Sequence, residues 1–146
     1  MNETINIKIV KMESNVPTPK YQTAGSAGFD IACIEDVKLF PNETSIIRTG
    51  LRMSIPRGYE LQLRPRSGLS YKTDLILKNS PATIDCDYTG EIKLIVKNGG
   101  VDNIVFASGE RICQGVFNKI PQGIFQEVNE LVDTKRGNGG LGHTGK

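Results

Sequence analysis

The chain has 146 residues, a formal net charge of +2 from 18 basic and 16 acidic residues, and 38% hydrophobic residues. This length fits one domain with its own core, and the balanced charge argues against a general nucleic-acid-binding protein, which needs a basic surplus on one face. No apolar run approaches the roughly 18 residues of a membrane span, and residues 1–11 lack the pattern of a secretory signal. We therefore expect neither a direct nucleic-acid partner nor a membrane partner.

The cysteines and the single histidine narrow the chemistry further. Cys33, Cys86 and Cys113 are odd in number and have no CxxC spacing, so we expect free thiols in a reducing compartment. That compartment is the cytoplasm, or the nucleus or host cytoplasm if the protein is viral. His143 has no cysteine near it in sequence and lies in a glycine-rich tail, which argues against a zinc site and against a Ser/His/Asp triad.

Taken in chain order, the sequence predicts short β-strands separated by turns. Residues 5–10 alternate apolar and polar side chains, the period of a half-buried strand. Further strands are predicted at 29–33, 37–40, 45–48, 51–55, 59–63, 91–97, 103–106 and 111–117, with one short helix at 67–73. Many short strands without a long helical period predict an all-β sandwich, jelly roll or barrel.

The tail differs from the rest, because residues 137–146 contain five glycines. Glycine brings no side chain to a core, so one interpretation is a disordered end. The other is a lid that orders over a ligand, with backbone N–H groups close to phosphates. The run from Gly140 to Lys146 fits the start of a P-loop, but the strand before it and the helix after it are lacking.

Two segments carry residue types suited to a phosphorylated ligand. Arg66, Ser67 and Gly68 offer a guanidinium, a hydroxyl and an unobstructed N–H at a predicted helix start; the alternative is a helix cap beside a solvated arginine. Asp85 lies between strand signals, where a carboxylate suits water activation or a metal-linked role, and Asp30 begins another strand. Each signal alone also fits an ordinary loop residue.

Five short segments together resemble the motifs of the trimeric dUTPase family, in order and spacing. They are residues 24–31, 65–70, 82–92, 109–114 and 136–145. The resemblance implies a distorted jelly-roll (β-clip) fold, with a β-domain at 1–134 and a flexible C-terminal arm at 135–146 within one domain. It also implies a homotrimer whose active sites take motifs one, two and four from one chain, motif three from a second and the arm from a third.

The resemblance implies Mg²⁺-dependent hydrolysis of dUTP to dUMP and pyrophosphate, which limits uracil incorporation into DNA and supplies dUMP for dTTP synthesis. In this family-based assignment Asp85 orients and deprotonates the water that attacks the α-phosphorus. Gln114 lies at the α-phosphate, and Arg136 acts on the γ-phosphate like an arginine finger. Asp30 reaches Mg²⁺ through water.

The remaining roles implied by the resemblance concern substrate binding. Tyr88 packs under the deoxyribose and excludes a 2′-hydroxyl, while the uracil edge is read by the hairpin around Asn79, Thr83 and Ile84. The phosphates are held by Arg66, Ser67 and Gly68. The lid is closed over the nucleotide by Leu141, Gly142, His143 and Thr144.

The sequence departs from the family pattern at two lid positions. Leu141 stands where an aromatic residue is usual, and His143 stands where serine is usual. Two other functions compete with dUTP hydrolysis. A dCTP deaminase needs a glutamate at the position we assign to Ile95, and isoleucine cannot transfer protons. A nucleotide sensor that controls a partner protein would use the same site residues.

Overall fold

The structure is a computed structural model that describes residues 3–142. Within that range the chain forms eleven β-strands and one six-residue helix. The strands are β1 Lys8–Lys11, β2 Phe29–Ala32, β3 Val37–Leu39, β4 Thr44–Arg48, β5 Leu51–Ser54, β6 Tyr59–Arg64, β7 Leu75–Leu77, β8 Ala82–Ile84, β9 Lys93–Asn98, β10 Ile104–Phe106 and β11 Arg111–Lys119. The helix α1 spans Ser67–Lys72, between β6 and β7.

Four small antiparallel sheets build the fold. The largest has the order β2-β11-β6-β8, a second has the order β4-β9-β7, and two pairs are formed by β1 with β5 and by β3 with β10. Strand β11 lies between β2 and β6, so that Gln114 is opposite both Asp30 and Arg64. Three residues that are distant in sequence are thereby brought to one end of the sheet.

The sheets enclose one apolar core, which follows from the alternation of side chains along each strand. Leu61 and Leu63 of β6 are fully buried, and so are Leu94 and Val96 of β9, each at 1% exposure. These residues belong to a single buried cluster that draws on all four sheets. The core holds the strands rigidly and leaves their ends and the connecting turns free to carry polar chemistry.

The observed elements differ from the predicted ones at three main points, and several other strand bounds shift by one or two residues. The first strand begins at Lys8 and not at residue 5, because the half-buried Ile5 and Ile7 have no strand partner. Strands β7 and β8, of three residues each, lie between the predicted helix and the predicted strand at 91–97 and were not predicted. The helix ends at Lys72, one residue before the predicted end.

Residues 120–142 form neither helix nor strand in this chain. The apolar side chains beyond Ile120 are exposed, with Ile124 and Phe125 at 97% and 100% exposure. Of the residues that the structure describes, none forms a helix long and apolar enough to cross a membrane.

Candidate active site

A cavity of about 300 Å³ lies beside the turn that follows β8. Its walls come from β4, from β8 and the turn after it, and from β9. It is lined by Ile46, Thr83, Ile84, Asp85, Tyr88, Glu91, Lys93 and Ile95. Four of the predicted site residues therefore line one cavity: Thr83, Ile84, Asp85 and Tyr88.

The turn after β8 fixes Asp85 and Tyr88 relative to each other. The N–H of Tyr88 donates to the carbonyl of Asp85 at 3.1 Å, and the Tyr88 hydroxyl donates to the carbonyl of Glu91 at 2.8 Å. Asp85 is exposed, and Tyr88 retains 45% exposure. A carboxylate and an open aromatic ring thus face the same cavity, while the predicted uracil contact Asn79 is exposed between β7 and β8 and does not line it.

A charged network occupies the end of the large sheet where β2, β6 and β11 meet. Arg66 Nε donates to Asp30 Oδ1 at 2.9 Å, and Arg111 donates through a terminal guanidinium nitrogen to Asp30 Oδ2 at 3.0 Å. Arg66 also donates to the carbonyl of Arg111 at 2.8 Å. Because the Asp30 side chain is only 16% exposed, the two arginines balance a largely buried carboxylate.

Gln114 joins this network through the backbone before the helix. Its Nε2 donates to the carbonyl of Pro65 at 2.8 Å. A Cβ at Gly28 would lie 2.6 Å from Gln114 Oε1, so a side chain at position 28 would displace the amide. The glycine of the first motif therefore makes room for the glutamine of the fourth.

The start of α1 lies next to the network. Arg66 is the N-cap residue without a side-chain cap, and no acidic residue stands in the first turn, so the first N–H groups of the helix lack side-chain acceptors. Ser67 and Gly68 are exposed, and a Cβ at Gly68 would meet nothing within 4 Å. The space in front of this segment is open to an anionic group.

The two clusters lie at opposite ends of β6. Ile84, just before Asp85, pairs with Leu61 near the start of β6, whereas Gln114 pairs with Arg64 at its end. Standard strand dimensions separate Asp85 and Gln114 by about 13 Å along β6 and about 10 Å across the sheet. One α-phosphate cannot contact both residues within a single chain.

The tail residues stand apart from both clusters in this chain. Arg136 Nε donates to the carbonyl of Gly139 at 2.7 Å, within the tail itself. Leu141 is fully exposed, and Gly142 has a φ of 73°, in the region that favours glycine. The other two predicted lid residues, His143 and Thr144, lie outside the described residues.

Sequence reasoning missed two residues with evident roles in these clusters. Arg111 holds Asp30, but the two are 81 positions apart, so only the pairing of β2 with β11 reveals the contact. Glu91 lines the cavity and has a side chain that is 9% exposed. The sequence did offer a signal for Glu91, since it is a glutamate within the third segment, next to Ile92, where the chain re-enters the core.

The cysteines near the site are unpaired thiols. Burial raises the pKa of Cys113 to about 12, so this thiol stays uncharged at neutral pH beside the Asp30 network. In residues 3–142 there is no group of three or more His, Cys, Asp or Glu side chains arranged to hold a metal ion.

A larger cavity of about 770 Å³ lies elsewhere, against β1 and the end of β11. Its walls include the aromatic rings of Tyr21, Phe29, Tyr59 and Phe117. None of the predicted site residues lines it. The smaller cavity beside Asp85 is therefore the candidate site, because predicted site residues line it.

Comparison with known proteins agrees with this architecture. A sequence model of the dUTPase family matches residues 14–145. The deoxyuridine 5'-triphosphate nucleotidohydrolases of Wolinella succinogenes and Fusobacterium nucleatum are 43% and 46% identical, each over 97% of this chain and over 95% and 98% of their own lengths.

A solved structure of the dUTPase of Staphylococcus bacteriophage 80alpha with dUPNHPP superposes with a TM-score of 0.91 at 27% identity. The match covers 98% of this chain and 100% of the phage chain. It confirms the prediction of a mostly β, dUTPase-like fold. By sequence and by fold, this chain belongs to the dUTPase family.

Proposed function

We propose that the protein is a dUTP diphosphatase, which hydrolyses dUTP to dUMP and pyrophosphate. The single observation that carries this most directly is the cavity beside the β8 turn, which both Asp85 and Tyr88 line. The sequence identity of 43% and 46% to curated deoxyuridine 5'-triphosphate nucleotidohydrolases, over 97% of this chain, supports the same activity.

We assign Asp85 as the general base. Its exposed carboxylate faces the cavity, where it can take a proton from water as the water oxygen bonds to the α-phosphorus. The bond from that phosphorus to the bridging oxygen breaks, so that pyrophosphate leaves and dUMP remains. A positioned base of this kind contributes on the order of 10²–10⁴ to the rate.

Base and sugar selection are assigned to the β8 hairpin. Tyr88 offers an open ring face for the deoxyribose, and uracil is read by the hairpin backbone with Asn79, Thr83 and Ile84. Ile95 lines the same cavity at the position that a dCTP deaminase would fill with glutamate. An apolar side chain there supports hydrolysis over deamination.

Phosphate binding is assigned to the charged end of β6. The start of α1 supplies Arg66, Ser67 and Gly68, and a Cβ at Gly68 would meet nothing within 4 Å. Gln114 is fixed next to them by Pro65. Binding on the γ-phosphate side is assigned to Arg136 and to the lid residues Leu141, Gly142, His143 and Thr144. Residues 1–134 then act as the β-domain and 135–146 as its arm.

Magnesium fits the residues that are present. Each Asp30 oxygen accepts one arginine N–H, and since a carboxylate has about four acceptor positions, two remain for ordered water. An ion that keeps most of its waters and binds substrate phosphates suits such a single carboxylate. When bound, Mg²⁺ would offset part of the negative charge of the triphosphate.

We further propose that the active unit is a homotrimer with sites between subunits. The separation of Asp85 from Gln114 within one chain supports this arrangement, because both must reach one phosphate. The exposed Ile124 and Phe125 and the aromatic cavity against β1 also support packing of each tail on another subunit. The expected compartment is the cytoplasm, or the nucleus or host cytoplasm for a viral protein.

The experiment incubates the protein and Mg²⁺ with dUTP, dCTP, dTTP and UTP in parallel. Release of pyrophosphate and the monophosphate from dUTP alone, lost with EDTA, is the expected result. Ammonia from dCTP would contradict the assignment. Tight binding of dUpNHpp without turnover of dUTP would favour a nucleotide sensor.

A further inference from the structure

Tyr88 is held in place by a short loop that closes on itself. The Tyr88 hydroxyl donates to the carbonyl of Glu91, three residues ahead, at 2.8 Å. The ring folds back over Gly90, where a Cβ would lie 2.6 Å from the tyrosine oxygen and 2.7 Å from Cζ. The orientation of the Tyr88 ring therefore depends on the position of the Glu91 carbonyl.

The side chain of Glu91 anchors that backbone to the connection between β4 and β5. Arg48 Nε donates to both carboxylate oxygens, at 3.1 and 3.2 Å, and the N–H of Gly50 donates to Oε1 at 3.0 Å. Gly50 has a φ of 65°, and a Cβ there would meet Val16 at 2.6 Å. Its N–H is thus fixed by a tight turn packed against the core.

Further bonds tie the same loop to the same connection. Arg52 Nε donates to the carbonyl of Thr89 at 2.7 Å, and the N–H of Ile92 donates to the carbonyl of Leu51 at 2.8 Å. Of these contacts, only those made by the Glu91 side chain involve a largely buried charge, at 9% exposure. Loss of that charge leaves the Arg48 guanidinium without its largely buried anionic partner and removes one of the two oxygens that accept from it.

We propose that Glu91 is a positioning residue for sugar selection: through Arg48 and Gly50 it holds the carbonyl that fixes the Tyr88 ring against the deoxyribose. The inference rests on the proposed role of Tyr88 in excluding a 2′-hydroxyl. Glu91 acts through Tyr88 and has no direct part in breaking the phosphorus–oxygen bond. Its loss affects nucleoside binding and the choice between dUTP and UTP more than it affects turnover.

The test measures kcat and KM for dUTP and for UTP in Glu91→Gln, which keeps the side-chain volume and removes the charge. The expected result is a KM for dUTP about tenfold higher, a kcat within about twofold, and a ratio of dUTP to UTP specificity about tenfold lower. The matched control is Glu43→Gln. Glu43 also accepts a backbone N–H in a turn, from Phe40 at 2.7 Å, but lies away from the cavity, so its specificity ratio should not change.

A second variant, Tyr88→Phe, keeps the ring and removes the hydroxyl, so it tests the same link if Glu91→Gln folds poorly. Tyr88→Phe should lower the ratio of dUTP to UTP specificity by a similar factor. The double variant should have a ratio no lower than that of either single variant, because both substitutions break the same chain of contacts. Additive losses, or an unchanged ratio in the single variants, would overturn the inference alone. A wild-type protein that does not prefer dUTP over UTP would overturn the assigned role of Tyr88, and this inference with it.

Discussion

The two ends of β6 are built differently, and in the proposed trimer they belong to two different active sites. At its start, the β8 turn presents an open ring and an exposed carboxylate around a cavity of about 300 Å³. At its end, Asp30 is already bound by Arg66 and Arg111. The start of β6, where we propose that the nucleoside binds, borders an open cavity (the nucleoside end). At the other end, where we propose that the phosphates bind, Asp30 is already paired with two arginines (the phosphate end).

In the proposed trimer, one sheet therefore contributes residues to two different active sites, and the two contributions differ in charge. Charged groups need partners before the ligand arrives, because a largely buried unpaired charge is destabilising, so Asp30 balances the arginines within the chain. An aromatic platform needs no such partner and can stay open. Each chain therefore folds with these charges paired, and in the proposed trimer it supplies only part of each active site.

The strongest test of the phosphate end removes residues 135–146. Loss of Arg136 and the lid should lower kcat by about 10⁴, in the range of an arginine finger. The fold should persist, because residues 120–142 form no helix or strand. Steady-state kinetics would be measured beside light-scattering mass and thermal unfolding; a truncated protein that dissociates or unfolds would instead give the tail a structural role.

At the nucleoside end, Asp85→Asn should lower kcat by about 10³, since the amide cannot accept the proton of water. Binding of dUpNHpp, measured by calorimetry, should change little because the amide keeps the same shape. Asp87→Asn is the matched control, two residues along the same turn and also exposed. Near wild-type turnover in Asp85→Asn would mean that another group is the base.

A smaller effect is expected where the first and fourth motifs meet. Gly28→Ala should displace the Gln114 amide and lower kcat by about tenfold, because small misplacements at a reacting centre are costly. Gly25→Ala is its control, since a Cβ there would meet nothing within 4 Å. Equal kcat values for Gly28→Ala and Gly25→Ala would mean that the position of the Gln114 amide does not affect turnover.

The smallest effect is expected in the lid. Leu141→Phe should leave kcat within about twofold and lower KM by about threefold, because a phenyl ring adds a stacking surface for uracil. Leu141→Ala serves as the comparison and should raise KM. A large loss of kcat in Leu141→Phe would indicate that this tail docks in another way.

Much of the fold was visible in the sequence, because alternation and turn residues are local signals. The strands from β2 to β6 and from β9 to β11 follow from them, as do the helix at Arg66 and the positions of Asp85 and Tyr88. The short strands β7 and β8 were missed, although β3 and β10, which are equally short, were predicted.

What the sequence could not supply is the pairing of distant segments. The bond from Arg111 to Asp30 depends on β11 lying beside β2, and the anchoring of Glu91 by Arg48 spans 43 positions. Neither contact leaves a local pattern. The family resemblance supplied roles for motif residues but none for Arg111, Arg48 or Glu91.

The central claim, that one site combines Asp85 of one chain with the phosphate end of another, is tested most directly by subunit mixing. Asp85→Asn and Arg66→Ala are each expected to be nearly inactive alone. When the two are unfolded together and refolded as mixed trimers, roughly a quarter of the sites should regain both residues, with activity to match. If the mixture stays as inactive as its parts while wild type refolds with full activity, each site lies within one chain and the account is wrong.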